Sequence, residues 1–286
     1  MNYAEYHFKQ IYNLTDQVYQ EIYTFCQMVN QAYQLKAPNF ISNTYHFDKK
    51  IPTAILAYSG ETLVAVALFY AESQQNIEVT IKVHPDYRHQ GIFLALKEQT
   101  EKIQAEFQVE EILWVAENIF SKTYPSFFAH YDLVETELYL LDKGKSQIDI
   151  QAQYTLLELG QEDLEDIVDV CAYAFGNSYE TTAHFAQERL NDPDSKQYGL
   201  YLEDTLVATT AVNLKDGLFY IFGTVVKESI RGRGIGQQLI AQIIRHLQET
   251  PAPIAISVSK SNLPAFHIYQ KNGFEVETEI EYYKEK

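Results

Sequence analysis

Thr224-Val-Val-Lys-Glu-Ser-Ile-Arg231-Gly-Arg-Gly234-Ile-Gly236-Gln-Gln-Leu239 is the stretch around which the rest of the chain can be read. Apolar residues Tyr220, Ile221, Phe222, Val225 and Val226 run into it as a strand. Beyond the loop Lys227–Arg233, Ile235, Leu239, Ile240, Ile243, Ile244 and Leu247 recur at helical spacing. Gly232, Gly234 and Gly236 stand at the strand-to-helix turn, where the lack of a Cβ lets a ligand come close to the backbone. Successive NH groups there, with the positive end of the helix dipole, make a seat for phosphate oxygens. Lys227, Arg231 and Arg233 against the single acid Glu228 make the loop basic in a chain whose formal charge is −17. An anion is the expected occupant.

A glycine-rich turn alone is a weak pattern, because many α/β folds have one that binds nothing. The sequel is more specific. A strand with Ile254, Ile256 and Val258 leads to Asn262-Leu-Pro-Ala265-Phe-His-Ile-Tyr269-Gln-Lys-Asn-Gly273-Phe274. Together, Arg231-x-x-Gly234-x-Gly236 and Asn262-x-x-Ala265-x-x-x-Tyr269-x-x-x-Gly273-Phe274 resemble the acetyl-CoA site of the GNAT superfamily of N-acyltransferases. The resemblance implies that Arg231, Gly232, Arg233, Gly234, Ile235, Gly236 and Gln237 hold the pyrophosphate of acetyl-CoA. It implies that the backbone of Thr224, Val225 and Val226 bonds the pantetheine, that Asn262 also contacts CoA, and that Tyr269 protonates the departing thiolate. As one of 22 tyrosines, Tyr269 could also merely pack in a half-buried helix.

With 286 residues, 46% of them hydrophobic, the chain can fill one large core or two ordinary ones. No apolar run reaches the roughly 18 residues of a membrane span, and the N-terminus lacks the basic and apolar regions of a signal peptide, so a cytoplasmic protein is expected. The acidic balance argues against nucleic acid as a partner. Cys26 and Cys171 are too few for a disulfide framework and lie in apolar helical segments, where core packing is the expected role. The eight histidines form no ligand cluster, and no metal is expected.

Laid over one another, the halves repeat. Thr62-Leu-Val-Ala65 matches Thr205-Leu-Val-Ala208, and Arg88-x-x-Gly91-Ile92 matches Arg231-x-x-Gly234-Ile235, both 143 residues apart. Val134-Glu-Thr-Glu137 likewise answers Val276-Glu-Thr-Glu279. The expectation is two tandem α/β domains, each a mixed sheet flanked by helices, over residues 1–142 and 150–286, joined through the polar stretch Asp142–Gln147. Helices are expected over residues 11–33, 163–175 and 181–190, among others.

The copies are not chemically equal. The first has Phe93 in place of Gly236, and His89-Gln90 in place of Gly232-Arg233. Phe127 or Phe128 falls under Tyr269, and Pro125 interrupts the corresponding helix. The first copy is therefore read as degenerate and catalytically silent, the second as the acetyl-CoA-dependent N-acetyltransferase acting on an amine of a small molecule or peptide. A general base is not legible: Leu218–Val226 carries no acid, and Glu203, Asp204, His184 and Asp216 all fit turns or surface equally well. An acceptor pocket is expected from Gly176–Gln187 and the last strand, with Glu279, Glu281, Tyr282 and Tyr283. The competing reading is a non-catalytic acyl-CoA-binding or regulatory protein.

Overall fold

The computed structural model describes residues 6–286 apart from 173, 175 and 177. In chain order the elements of the first half are β1 (Tyr6–Ile11), α1 (Asp16–Tyr33), β2 (Ala54–Ser59), β3 (Thr62–Tyr70), β4 (Asn76–Val83), α2 (Ile92–Phe107), β5 (Glu111–Glu117), α3 (Asn118–Thr123), α4 (Pro125–Phe128) and β6 (Tyr131–Asp142). The second half gives β7 (Tyr154–Leu159), α5 (Leu164–Cys171), α6 (Tyr179–Asn191), β8 (Ser195–Leu202), β9 (Thr205–Lys215), β10 (Leu218–Val226), α7 (Ile235–Leu247), β11 (Ile254–Ser259), α8 (Leu263–Lys271) and β12 (Phe274–Glu285). The expected end of one helix at Phe175 lies outside the described residues.

The chain folds into two compact units, one made of the residues up to Thr136 together with Thr278–Lys286, the other of Glu137–Glu277. These units cut across the expected boundaries 1–142 and 150–286, because the last strand of each comes from the other half of the chain. In the first unit β1, β2, β3 and β4 pair antiparallel in turn, β4 runs parallel to β5, and Ile280–Tyr283 of β12 pairs antiparallel with β5. In the second, β7, β8, β9 and β10 pair antiparallel, β10 runs parallel to β11, and Glu137–Leu141 of β6 pairs antiparallel with β11. The cores follow this division: Tyr283 is buried with Trp114 and Leu96, whereas Leu138 and Leu140 are buried with Ile256, Leu239 and Phe274.

The repeat is visible in the ladders. β2–β3 slips register between Ala57 and Tyr58, and β8–β9 slips at the equivalent place, between Leu200 and Tyr201. Local chemistry explains the helices. Thr15 caps α1 by accepting from the Val18 NH, and Ile22, Phe25, Cys26 and Val29 form its buried face. In α7 the helical apolar set read from the sequence, Ile235 to Leu247, is buried throughout. Strand β1 escaped the reading because only Ile11 of its six residues is buried.

Asp142–Gln147 is not a loose connector. Lys143 and Lys145 pair with Glu277 and Glu275, the Lys143 NH donates to the Gly273 carbonyl, and the backbone of Lys145 and Ser146 crosses directly over Gly273. Gly273 has φ +94°, and a Cβ there would sit 2.7 Å from the Ser146 nitrogen. Gly273→Ala is expected to destabilise the fold by about 2 kcal/mol or more, a melting temperature lower by roughly 4–8 °C. Thermal denaturation followed by circular dichroism checks this, and an unchanged midpoint contradicts it.

Candidate active site of the second unit

Three structural facts build the site. The first is a break in strand β10. Its ladder to β9 pairs Phe222 with Ala211 and then Val225 with Thr209, so one extra residue bulges from β10, and Gly223 there has φ +60°. The parallel ladder to β11 stops at Ile221 and Ile256. From Phe222 to Val226, β10 keeps β9 as its partner, while Ser257–Ser259 keep only β6. The two parallel strands thus part, and the β11-side backbone groups of Phe222–Val226 face a gap.

The second fact is the turn above that gap. Lys227 to Ile230 make a 3₁₀ turn, and Arg231 donates from Nε to the Val226 carbonyl at 3.0 Å, pinning the loop to the strand end. Gly232 and Gly234 both have φ +80°, the left-handed region that favours glycine. Gly234 caps α7 without any side-chain bond, so the first-turn NH groups of Ile235, Gly236 and Gln237 carry the positive end of the helix dipole. Gly236 serves packing as much as access. A Cβ there would lie 3.2 Å from Ile268 Cδ1 and 3.3 Å from Val226 Cγ2, so the absent side chain lets α7 close on α8 and β10.

The third is Tyr269. It lies on α8, 6% exposed, its ring edge-on to Phe274. Burial pushes its phenol up to about 12, and a hydrogen bond with the Thr224 hydroxyl pulls the other way. Thr224 Oγ1 is in turn 2.8 Å from Thr210 Oγ1, which also bonds the Phe222 carbonyl at 3.2 Å. The phenol is therefore tied by side-chain hydrogen bonds to the bulged strand. A phenol held this way stays protonated and can donate but not abstract a proton at neutral pH. Asn262, exposed, caps α8 by accepting from the Ala265 NH at 3.2 Å, which leaves its amide NH₂ directed elsewhere.

Of the residues named from sequence, Thr224, Val226, Gly236 and Tyr269 come together around the opened strand. Arg233 is exposed on the turn, and Val225 turns to the opposite face of the sheet with Leu206 and Cys171. The candidate bases do not gather. Glu203 and Asp216 occupy hairpin turns with positive φ, the Asp216 turn at the far end of β10 from the bulge, and His184 is exposed on α6. Glu279 and Glu281 belong to the first unit, where they accept from Asn118 at 3.1 Å and Ser121 at 2.6 Å, so the expected acceptor wall loses its last strand. Gly176–Gln187 is described except for residue 177.

Two residues were missed. Gly223 is a lone glycine in an apolar strand pattern, a recognised sign of a bulge. Arg189 falls in step with Thr182 and Ala186 on the buried stripe of α6, where a cation is out of place.

The equivalent place in the first unit is built differently. Ladder β3–β4 runs unbroken from Ala65 to Tyr70, so β4 has no bulge. Phe93 packs against Trp114 and Phe127, ring centroids 6.1 and 5.3 Å away. The guanidinium of Arg88 lies over the Tyr33 ring at 4.0 Å and donates to Tyr124. The helix matching α8 is broken at Tyr124 into α3 and α4, as Pro125 requires.

The second unit thus presents a parted parallel strand pair, with a glycine turn and helix start at its mouth and the buried Tyr269 phenol beside it. Residues 162–274 match the sequence model of the Acetyltransferase (GNAT) family, so the chain carries a domain of that family. The fold of the whole chain is that of solved GNAT structures. A GCN5-related N-acetyltransferase from Sphaerobacter thermophilus superposes with TM-score 0.73 at 16% identity, covering 98% of this chain and 95% of that one. A tandem GNAT protein from the clavulanic acid biosynthesis pathway superposes with TM-score 0.69 at 15% identity, covering 98% of both. The mixed α/β fold of two tandem GNAT-like domains expected from the repeat agrees with these likenesses, the second of them to a tandem GNAT protein. Among curated proteins, the spermine/spermidine N(1)-acetyltransferase of Bacillus subtilis is 29% identical over 101 residues, covering 32% of this chain. The match spans 66% of that relative's length. Among the described residues no helix is long and apolar enough to cross a membrane.

Proposed function

We propose that the second unit is an acetyl-CoA-dependent N-acetyltransferase and that the first is catalytically silent. The observation that carries this is the parting of β10 from β11 at the Gly223 bulge, with Tyr269 tied to the opened strand through Thr224. The chain's groups fit an acyl-CoA. The NH groups from Gly232 to Gln237 seat the pyrophosphate, Arg231 and Arg233 add charge, and Asn262 offers its amide. The backbone of Thr224, on the side away from β9, runs alongside the pantetheine, whereas Val225 is buried and paired with Thr209 and the Val226 carbonyl is already taken by Arg231.

In the transfer, the amine nitrogen forms a bond to the thioester carbonyl carbon, and the C–S bond breaks. A strand NH near Val226 is placed to receive the developing oxyanion. Tyr269 gives its proton to the departing sulfur, and the amine loses its proton through water, since β10 carries no acid. The first unit supports the silent reading by its side chains: β4 also leaves β5 beyond Val79 and Trp114, but Phe93, packed on Trp114 and Phe127, stands where the second unit has Gly236.

The curated relatives act on polyamines by name, which makes aliphatic primary amines the first acceptors to test. Thiol release from acetyl-CoA over a panel of amines and peptides should reveal turnover with at least one. Binding of acetyl-CoA without any acetyl transfer would instead favour a non-catalytic acyl-CoA sensor. The kcat profile is also expected to show no alkaline fall near pH 10, where an ordinary tyrosine titrates, because Tyr269 keeps its proton to about 12. Blank-corrected rates between about pH 8 and pH 10.5 check this, and a fall centred near pH 10 contradicts it.

A further inference from the structure

Arg189 is 9% exposed, on the stripe of α6 that also buries Thr182 and Ala186. Its Nη1 lies 2.5 Å from where a Cβ on Gly223 would be, so the glycine of the bulge is what lets the guanidinium lie against β10. Among the described residues it pairs with no carboxylate, and its Nε has no hydrogen-bond partner. Its neighbour is the Cys171 thiol, which burial pushes up and the guanidinium and Thr209 draw back down. On the neighbouring strand β8, Gln197 is buried with Nε2 donating to Thr209 and to the Thr210 carbonyl, while its Oε1 has no partner. A buried guanidinium without a counter-charge is costly, and such groups persist where something pairs with them.

The bulged strand divides the site. Thr224 and Tyr269 lie on the α7–α8 face, and Val225, Cys171 and Ala186 pack together on the α5–α6 face. Resting on the acetyltransferase reading, the thioester enters from the first face, and the amine meets it from the second. We propose that Arg189 binds a carboxylate of the acceptor, so that the substrate class is amines bearing a carboxylate close to the nucleophilic nitrogen, such as amino acids, and not polycations. The planar guanidinium suits a carboxylate bidentately and repels a polyamine's charges.

The test is a set of matched amines, each α-amino acid against its decarboxylated counterpart, with spermidine as the polycationic arm, assayed for thiol release by the full-length protein. The carboxylated members are expected to have kcat/KM higher by about 10- to 100-fold. In Arg189→Gln that preference is expected to fall to within about threefold, mostly through KM, with Arg189→Lys retaining part of it. Thermal shifts of the wild type with N-acetyl amino acids against N-acetyl amines give the same comparison without turnover and without a variant. If wild type turns over spermidine or the decarboxylated amines better, or if Arg189→Gln lowers both series by one factor, the Arg189 assignment is overturned while the acetyltransferase reading stands. If acetyl-CoA binds and no amine of any kind is acetylated, the acetyltransferase reading itself falls, and this one with it.

Discussion

Tyr269→Phe is expected to lower kcat for acetyl transfer by about 10²- to 10³-fold while leaving the affinity for acetyl-CoA within about twofold. The substitution removes one oxygen. The ring keeps its buried place beside Phe274, and the Thr224 hydroxyl retains its bond to Thr210, so little reason exists for the fold to change. What is lost is the proton held for the departing sulfur. Because the phenol is pushed up to about 12, wild type has it protonated across the working range, and no pH within that range should rescue the variant. Steady-state rates beside calorimetric binding decide it, and a variant with wild-type kcat returns Tyr269 to the role of core packing.

The second large effect is expected from Gly236→Phe, which writes the side chain of the first copy into the second. Even a Cβ at this position meets Ile268 and Val226 at 3.2 and 3.3 Å, so a benzyl group must push α7 away from α8 and β10 or turn into the gap between β10 and β11. Overpacking of this kind costs about 1–3 kcal/mol. Either outcome displaces the NH groups that seat the pyrophosphate, and acetyl-CoA affinity should fall by about 10²-fold or more. Arg231→Glu removes a positive charge and the Nε bond to Val226 without adding volume, and it should weaken binding in a protein that still folds. Retained affinity in both variants contradicts the assignment of the turn.

Much of this site was legible because backbone demands leave residue signatures. Gly232 and Gly234 stand where φ is positive, Pro125 stands where a helix breaks, and the stripe from Ile235 to Leu247 is the buried face of α7. The exchange of last strands was not legible for a physical reason. Val134-Glu-Thr-Glu137 and Val276-Glu-Thr-Glu279 are the same sequence at the point where the chain passes between units, so local pattern does not say which strand each continuation joins. Placing Glu281 by chain order put it in the second unit, whereas Ser121 and Tyr283 hold it in the first. Arg189 is different again. A single arginine in a polar helix reads as surface, and only its proximity to Gly223, 34 positions along the chain, shows otherwise.

The account stands or falls on where acyl-CoA binds. Isothermal titration of acetyl-CoA into the full-length protein is expected to give one site per chain, abolished by Gly236→Phe or Arg231→Glu and unchanged by Arg88→Glu. Two sites per chain, or binding that survives the first two substitutions and is lost with the third, would contradict it.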